Sequence, residues 1–138
     1  LRLRRIRDAQ AWRIEPRTSR GPLWKPWRAY ALQIKVVFET SKPDLARVRK
    51  ATEVSIQAGA DYIKTSIGFN DAGATVEAVQ SMLETAKGRI KVKASGEIRT
   101  CETAKLYVDM NAVRLGVGYA VCNAICKGET AAGSVVDR

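Results

Sequence analysis

Four times between residues 31 and 128, a short β-branched or apolar run gives way to a longer stretch whose apolar side chains recur every three or four positions. That alternation predicts a parallel α/β sheet, because each strand needs a crossover helix before the next parallel strand can be laid beside it. The first run is Leu32 to Phe38. Ser41-Lys42-Pro43-Asp44 then opens a helix, with proline near the first turn and an acid at the positive end of the dipole. Leu45, Val48, Ala51, Val54 and Ala58 give that helix one apolar face, and Gly59 ends it. Asp61 to Thr65 is the second strand, and Thr75 caps a helix that carries Val76, Val79, Met82, Leu83 and Ala86 up to Gly88. Ile90 to Ala94 is the third strand, Ser95-Gly96 turns it, and Thr100 caps a helix with Cys101, Ala104, Tyr107 and Val108. Ala112 to Val117 is the fourth, followed by a short helix over 119–127 that stops at Gly128.

In parallel α/β sheets, chemistry gathers at the carboxyl ends of the strands. Two of the four ends place a lysine there: Lys64 between Ile63 and Thr65, and Lys93 between Val92 and Ala94. An ammonium buried in a sheet without a partner is costly. If the two strands are neighbours, their backbones lie about 4.8 Å apart. Repulsion and desolvation would then lower both pKa values, leaving an amine able to attack a carbonyl and form a Schiff base. The residues equally allow a plainer role, in which either lysine reaches solvent or pairs with Glu39 or Glu97.

Composition closes off other chemistries. The 138 residues, 46% of them hydrophobic, suit one ordinary domain. There is no histidine, so a His-based triad or His-based metal site is excluded. No apolar stretch reaches the length of a transmembrane helix. Cys101, Cys122 and Cys126 are too few for a disulfide framework. Cys122 and Cys126, one helical turn apart, are half of a metal site at most, so the expectation is no metal and small buried thiols.

The net charge of +10 sits mainly in residues 1–30, where nine basic residues face two acidic ones. All three tryptophans and three of the four prolines are there too. The reading is an irregular basic arm over 1–30, a βα body over 31–128 and a tail over 129–138. Guanidinium groups neutralise phosphates and indoles stack on bases, which makes Arg4, Arg5, Arg13, Trp24 and Trp27 candidates for RNA contact. The alternatives are a targeting remnant or an extension docked on a neighbouring protein. With Leu rather than Met first, the chain reads as processed or partial.

Four segments then carry a resemblance. Lys35-Val36-Val37-Phe38-Glu39-Thr40, Ala58-Gly59-Ala60-Asp61-Tyr62-Ile63-Lys64-Thr65-Ser66-Ile67-Gly68-Phe69, Gly73-Ala74-Thr75 and Val92-Lys93-Ala94-Ser95-Gly96-Glu97-Ile98-Arg99-Thr100 resemble deoxyribose-phosphate aldolase, in order and register over about residues 32–127. The resemblance implies a partial (β/α)8 TIM barrel, the last four βα units, preceded by the irregular basic arm. It implies a cofactor-free class I lyase that cleaves 2-deoxyribose 5-phosphate to glyceraldehyde 3-phosphate and acetaldehyde. Lys64 then occupies the position of the Schiff-base lysine, and Lys93 that of its pKa-tuning neighbour. Thr65, Gly68, Ser95, Gly96, Gly116 and Gly118 fall where the family binds substrate and its phosphate. The resemblance implies an intracellular, cytoplasmic protein, with an organellar (mitochondrial) alternative.

The departures are specific. Glu97 replaces the family's second glycine in Lys-Ala-Ser-Gly-Gly, and Gly118-Tyr119 stands where the family offers serines, so that Tyr119 is expected to obstruct. Nothing in residues 1–30 resembles the segment that carries the family's acidic proton-relay residue. Four strands also leave two edges unpaired. The expected partners are therefore another copy, a complementary half-barrel or a large assembly, with a phosphorylated deoxysugar as substrate if the chain is active. The second reading is a catalytically impaired half-barrel serving as a structural subunit of a larger, ribonucleoprotein-like assembly, its arm on RNA or protein and with no membrane contact.

Overall fold

The structure, a computed structural model, describes residue 30 and residues 32–40, 44–67 and 73–127. The arm residues Arg4, Arg5, Arg13, Trp24 and Trp27, the Ser41-Lys42-Pro43 helix start, Gly68, Gly128 and the tail over 129–138 lie outside the described residues. The polypeptide divides into two units, Leu1–Leu32 and Gln33–Arg138, and among the described residues the second holds every strand and helix.

The elements run β1 (Lys35–Val37), α1 (Leu45–Gln57), β2 (Tyr62–Lys64), α2 (Val76–Ala86), β3 (Lys91–Ser95), α3 (Cys101–Asp109), β4 (Arg114–Gly116) and α4 (Tyr119–Lys127). All three strand pairings are parallel and the spatial order is β1-β2-β3-β4. Right-handed crossovers in sequential order bring the helices to one face of such a sheet. The packing agrees. Ile63, Val92 and Ala94 are buried, and with Val36 and Leu115 they meet Val48 of α1, Val79, Met82 and Ala86 of α2, and Ala104 and Tyr107 of α3. Each fully buried aliphatic side chain here contributes about 1.5–3 kcal/mol of transfer free energy.

The strands are shorter than the apolar runs suggest, because only the three to five residues in mutual register keep the ladder. Two helix starts fall at the caps the sequence offers, Thr75 and Thr100; the first helix begins later than expected, with Asp44 as its cap instead of an acid in its first turn. Asp44, Thr75 and Thr100 each accept from the backbone N–H three residues on, those of Arg47, Ala78 and Thr103, at 2.8, 3.2 and 3.2 Å. The face of α1 differs from the apolar stripe. Leu45 is 40% exposed while Thr52 and Ser55 are buried. Their hydroxyls donate back to the carbonyls of Val48 and Ala51 at 2.9 and 2.8 Å, which lets a polar side chain sit against the core without an unpaired group.

Candidate active site

Period two sends the other half of each strand to the sheet face away from the helices. That face carries Lys35, Tyr62, Lys64, Lys91, Lys93, Ser95 and Arg114. Lys64 is in direct register with Lys93, and Lys93 with Arg114, so three cations share one row across β2, β3 and β4. Lys35 stands one row back on β1, in register with Tyr62. The Tyr62 ring fills the space beneath the row, with Arg114 Cζ 4.3 Å and Lys91 Nζ 5.4 Å from its centroid. That ring is only 4% exposed, so the cations share a face with a dry aromatic floor.

Both central lysines lie below the ordinary lysine value of 10.5. For Lys64 the largest cause is burial, which disfavours the charged form; the Lys35 ammonium adds to it and the Glu39 carboxylate opposes it. For Lys93 burial again leads, followed by the charges of Lys35, Lys64 and Arg114. Lys35 presses on both amines, a role the sequence reading had given to Lys93 alone. Lys35 could have been found by extending the strand alternation to β1, which places it on the face of Lys64.

Glu39 is the second residue that sequence reasoning left without a role beyond ion pairing. It follows β1 with φ at 53°, a left-handed conformation unusual for a non-glycine. Its carboxylate accepts from the Ile67 N–H at 2.8 Å and from the Ser66 hydroxyl at 3.4 Å. Glu39 thus ties the chain just after Lys64 to the end of β1 while placing negative charge near the Lys64 amine. Glu97 does not reach the lysines. Its carboxylate meets Arg99 at 2.8 Å on the surface.

The predicted substrate-binding residues divide. Thr65 is fully buried and its hydroxyl is engaged by Ser95, donating to the carbonyl at 2.7 Å and accepting from the N–H at 2.9 Å. This reciprocal pair locks the ends of β2 and β3, just past the two lysines. Gly116 lacks a Cβ for a reason internal to the fold: one built there would collide with Ser95 Oγ and come within 3.1 Å of Lys93 Cε. The space left by Gly116 is therefore what Ser95 and the Lys93 stem occupy. Gly96, at φ 96°, lies against Gly73, so that a Cβ on it would meet Gly73 Cα at 2.7 Å, and its carbonyl accepts from the Ala74 N–H at 3.1 Å. Gly118 opens onto empty space, and Tyr119, 96% exposed, stands in solvent instead of packing over the strand ends.

The expectation of buried thiols needs correction. Cys126 is exposed and Cys122 half-buried, because α4 buries none of its side chains fully, and Cys101 is half-buried at the first position of α3. Among the described residues no group of three or more His, Cys, Asp or Glu is placed to hold a metal ion, and no helix is long and apolar enough to cross a membrane.

Comparison with known proteins gives one direction. No family model matches the chain. A deoxyribose-phosphate aldolase from Exiguobacterium sp. is 46% identical over 88 residues, 64% of this chain and 40% of its own length. Deoxyribose-phosphate aldolase 2 from Oceanobacillus iheyensis is 43% identical over 106 residues, 77% of this chain and 47% of its own length. Among solved structures, the tetrameric deoxyribose phosphate aldolase from Aeropyrum pernix superposes with a TM-score of 0.66 at 31% identity, covering 74% of this chain and 45% of that one. The chain spans less than half the length of these relatives. Across the segment they share, it belongs to the deoxyribose-phosphate aldolase family.

Proposed function

We propose that this chain supplies the amine-bearing part of a class I aldolase acting on 2-deoxyribose 5-phosphate, as the last four βα units of a (β/α)8 barrel. The observation that carries this reading is the row of Lys64, Lys93 and Arg114 at the carboxyl ends of parallel strands, in which burial and the Lys35 ammonium behind the row hold the Lys64 amine below its ordinary pKa. Lys64 Nζ attacks the substrate aldehyde carbon, and loss of water gives the protonated Schiff base. The iminium is the electron sink. As the hydroxyl proton on C3 leaves, the C2–C3 bond breaks, its electron pair moves to the enamine, and C3 departs as the aldehyde of glyceraldehyde 3-phosphate. Protonation of the enamine at C2 and hydrolysis then release acetaldehyde and restore Lys64. Burial first and the Lys35 ammonium second lower the pKa of the amine for the first step, and Lys93 and Arg114 in the same row hold positive potential over the anionic substrate. The proton carrier is water or a group from the rest of the barrel.

Among the described residues, β1 and β4 have no strand on their outer sides. A second copy or a complementary half-barrel would cover them. The Aeropyrum pernix relative is a tetramer, which favours assembly as the working state. In this reading the boundaries at residues 30 and 128 separate the arm and tail from the catalytic body.

The second reading is a non-catalytic structural subunit whose basic arm holds RNA or protein. Glu97 favours it, since a carboxylate, paired with Arg99, stands in the loop after the Lys93 strand where the family resemblance puts a glycine. The two readings part on one experiment. Borohydride reduction of the full chain with acetaldehyde or 2-deoxyribose 5-phosphate should fix carbon on Lys64, located by peptide mapping and lost in Lys64→Ala. No adduct on Lys64, with the chain folded, rejects the enzymatic reading.

A further inference from the structure

Helix α4 carries two thiols that the sheet chemistry does not use. Cys122 and Cys126 are four residues apart on Tyr119–Lys127, so their Cα atoms lie about 6 Å apart along one helix face. Both are free, Cys122 half-buried and Cys126 exposed. Their placement at i and i+4 puts the two thiols on one side of the helix, and Cys122 pushes the Cys126 thiol up through a side-chain hydrogen bond and charge repulsion. No third His, Cys, Asp or Glu among the described residues joins them.

Those features select a class of ligand. A bare divalent cation wants three or four protein donors and deprotonated sulfurs. The pair offers two donors. A trivalent arsenic centre that already bears an organic group needs two sulfurs only, and removes both protons on its own oxygen. We infer that Cys122 and Cys126 form a dithiol site for thiophilic, two-sulfur-seeking centres of the organoarsenical class. The step balances: R–As=O and two S–H groups give R–As(S–)2 and one water. Two As–S bonds form, two S–H bonds and the As=O bond break, and arsenic stays trivalent. One helical turn spans the two sulfurs, so capture leaves α4 intact, with the exposed Cys126 engaging first and Cys122 closing the ring.

The test uses the full, reduced chain and phenylarsine oxide, read by intact mass. One phenylarsenic group per chain is expected, retained against excess monothiol and released by 2,3-dimercaptopropanol. Cys126→Ser, a change at an exposed position, should abolish the retained adduct, as should Cys122→Ser. Cys101→Ser, on the neighbouring helix α3, should leave it unchanged. Retention in either single variant of the pair, loss in Cys101→Ser, or removal by monothiol overturns the assignment.

Discussion

Lys64 and Lys93 lie directly opposite each other in the parallel register of β2 and β3, on the face of the sheet turned away from every helix. Two like charges in one row of a sheet are an expense that packing alone does not require. Thr65 and Ser95 lock the strands immediately beyond the row through two short hydrogen bonds, so neither lysine can slide out of register.

Lys35 and Glu39 act on Lys64 with opposite signs, which predicts opposite mutational shifts. Lys35→Met should move the pH dependence of Schiff-base formation at Lys64 to higher pH, so that reactivity lost near neutrality returns under alkaline conditions. Glu39→Gln should move it to lower pH. The observable is the rate of borohydride-trappable adduct formation with acetaldehyde across pH, and a common direction for both variants would contradict the account.

Gly116→Ala places a methyl group on Ser95 Oγ and the Lys93 stem. Overpacking of this kind costs about 1–3 kcal/mol. The loss should appear in urea unfolding together with a changed Lys93 environment. Gly118→Ala, at a position where a Cβ meets nothing within 4 Å, is the control and should leave both unchanged.

Thr65→Val keeps the shape of a fully buried side chain but deletes a hydroxyl with two backbone partners. Stranding those partners should cost about 1–3 kcal/mol. Ile63→Ala, two residues earlier on the helix-packed face, should cost about 2–5 kcal/mol through the cavity it leaves. Chemical denaturation separates the two, and adduct formation at Lys64 should suffer more per unit of stability in Thr65→Val.

The lysines also tie stability to pH. Because both fold with pKa values below the unfolded 10.5, the unfolded chain binds more protons between the folded values and 10.5, and stability rises with pH across that window. Lys64→Met and Lys93→Met should each flatten the rise. Tyr107 works the other way above its ordinary value of 10.0, since burial raises its folded pKa and stability falls as the unfolded phenol ionises first. The Cys126 thiol, raised by Cys122 from its ordinary 9.0, opposes the lysines in the same direction as Tyr107, so the lysine part is read as the difference between the denaturation midpoints of the wild type and of each lysine variant across pH.

The alternation of strand and helix was legible because caps and periodicity agree: Thr75 and Thr100 stand one residue before their helices, whereas Asp44 caps a helix whose start had been expected a few residues earlier. The Lys64–Lys93 pair was legible for the same reason, since each follows a buried aliphatic residue, Ile63 and Val92, in neighbouring strands. Lys35 was not read, because it stands one row back on the neighbouring strand and only the alternation carried across to β1 places it on the face of Lys64. Nor was the use of Thr65, whose hydroxyl finds the Ser95 backbone thirty residues on. The buried Thr52 and Ser55 of α1 escaped because an apolar stripe does not reveal hydroxyls satisfied by their own helix. Gly116 suggested an anion near the backbone, whereas its neighbours are a serine and a lysine stem.

Everything rests on the state of one amine. Following the 13Cε resonance of Lys64 through a pH titration of the full chain, assigned by comparison with Lys64→Ala, reads that state without requiring turnover. The account predicts a midpoint clearly below 10.5, rising in Lys35→Met. A midpoint at or above 10.5, or one indifferent to Lys35, would contradict it.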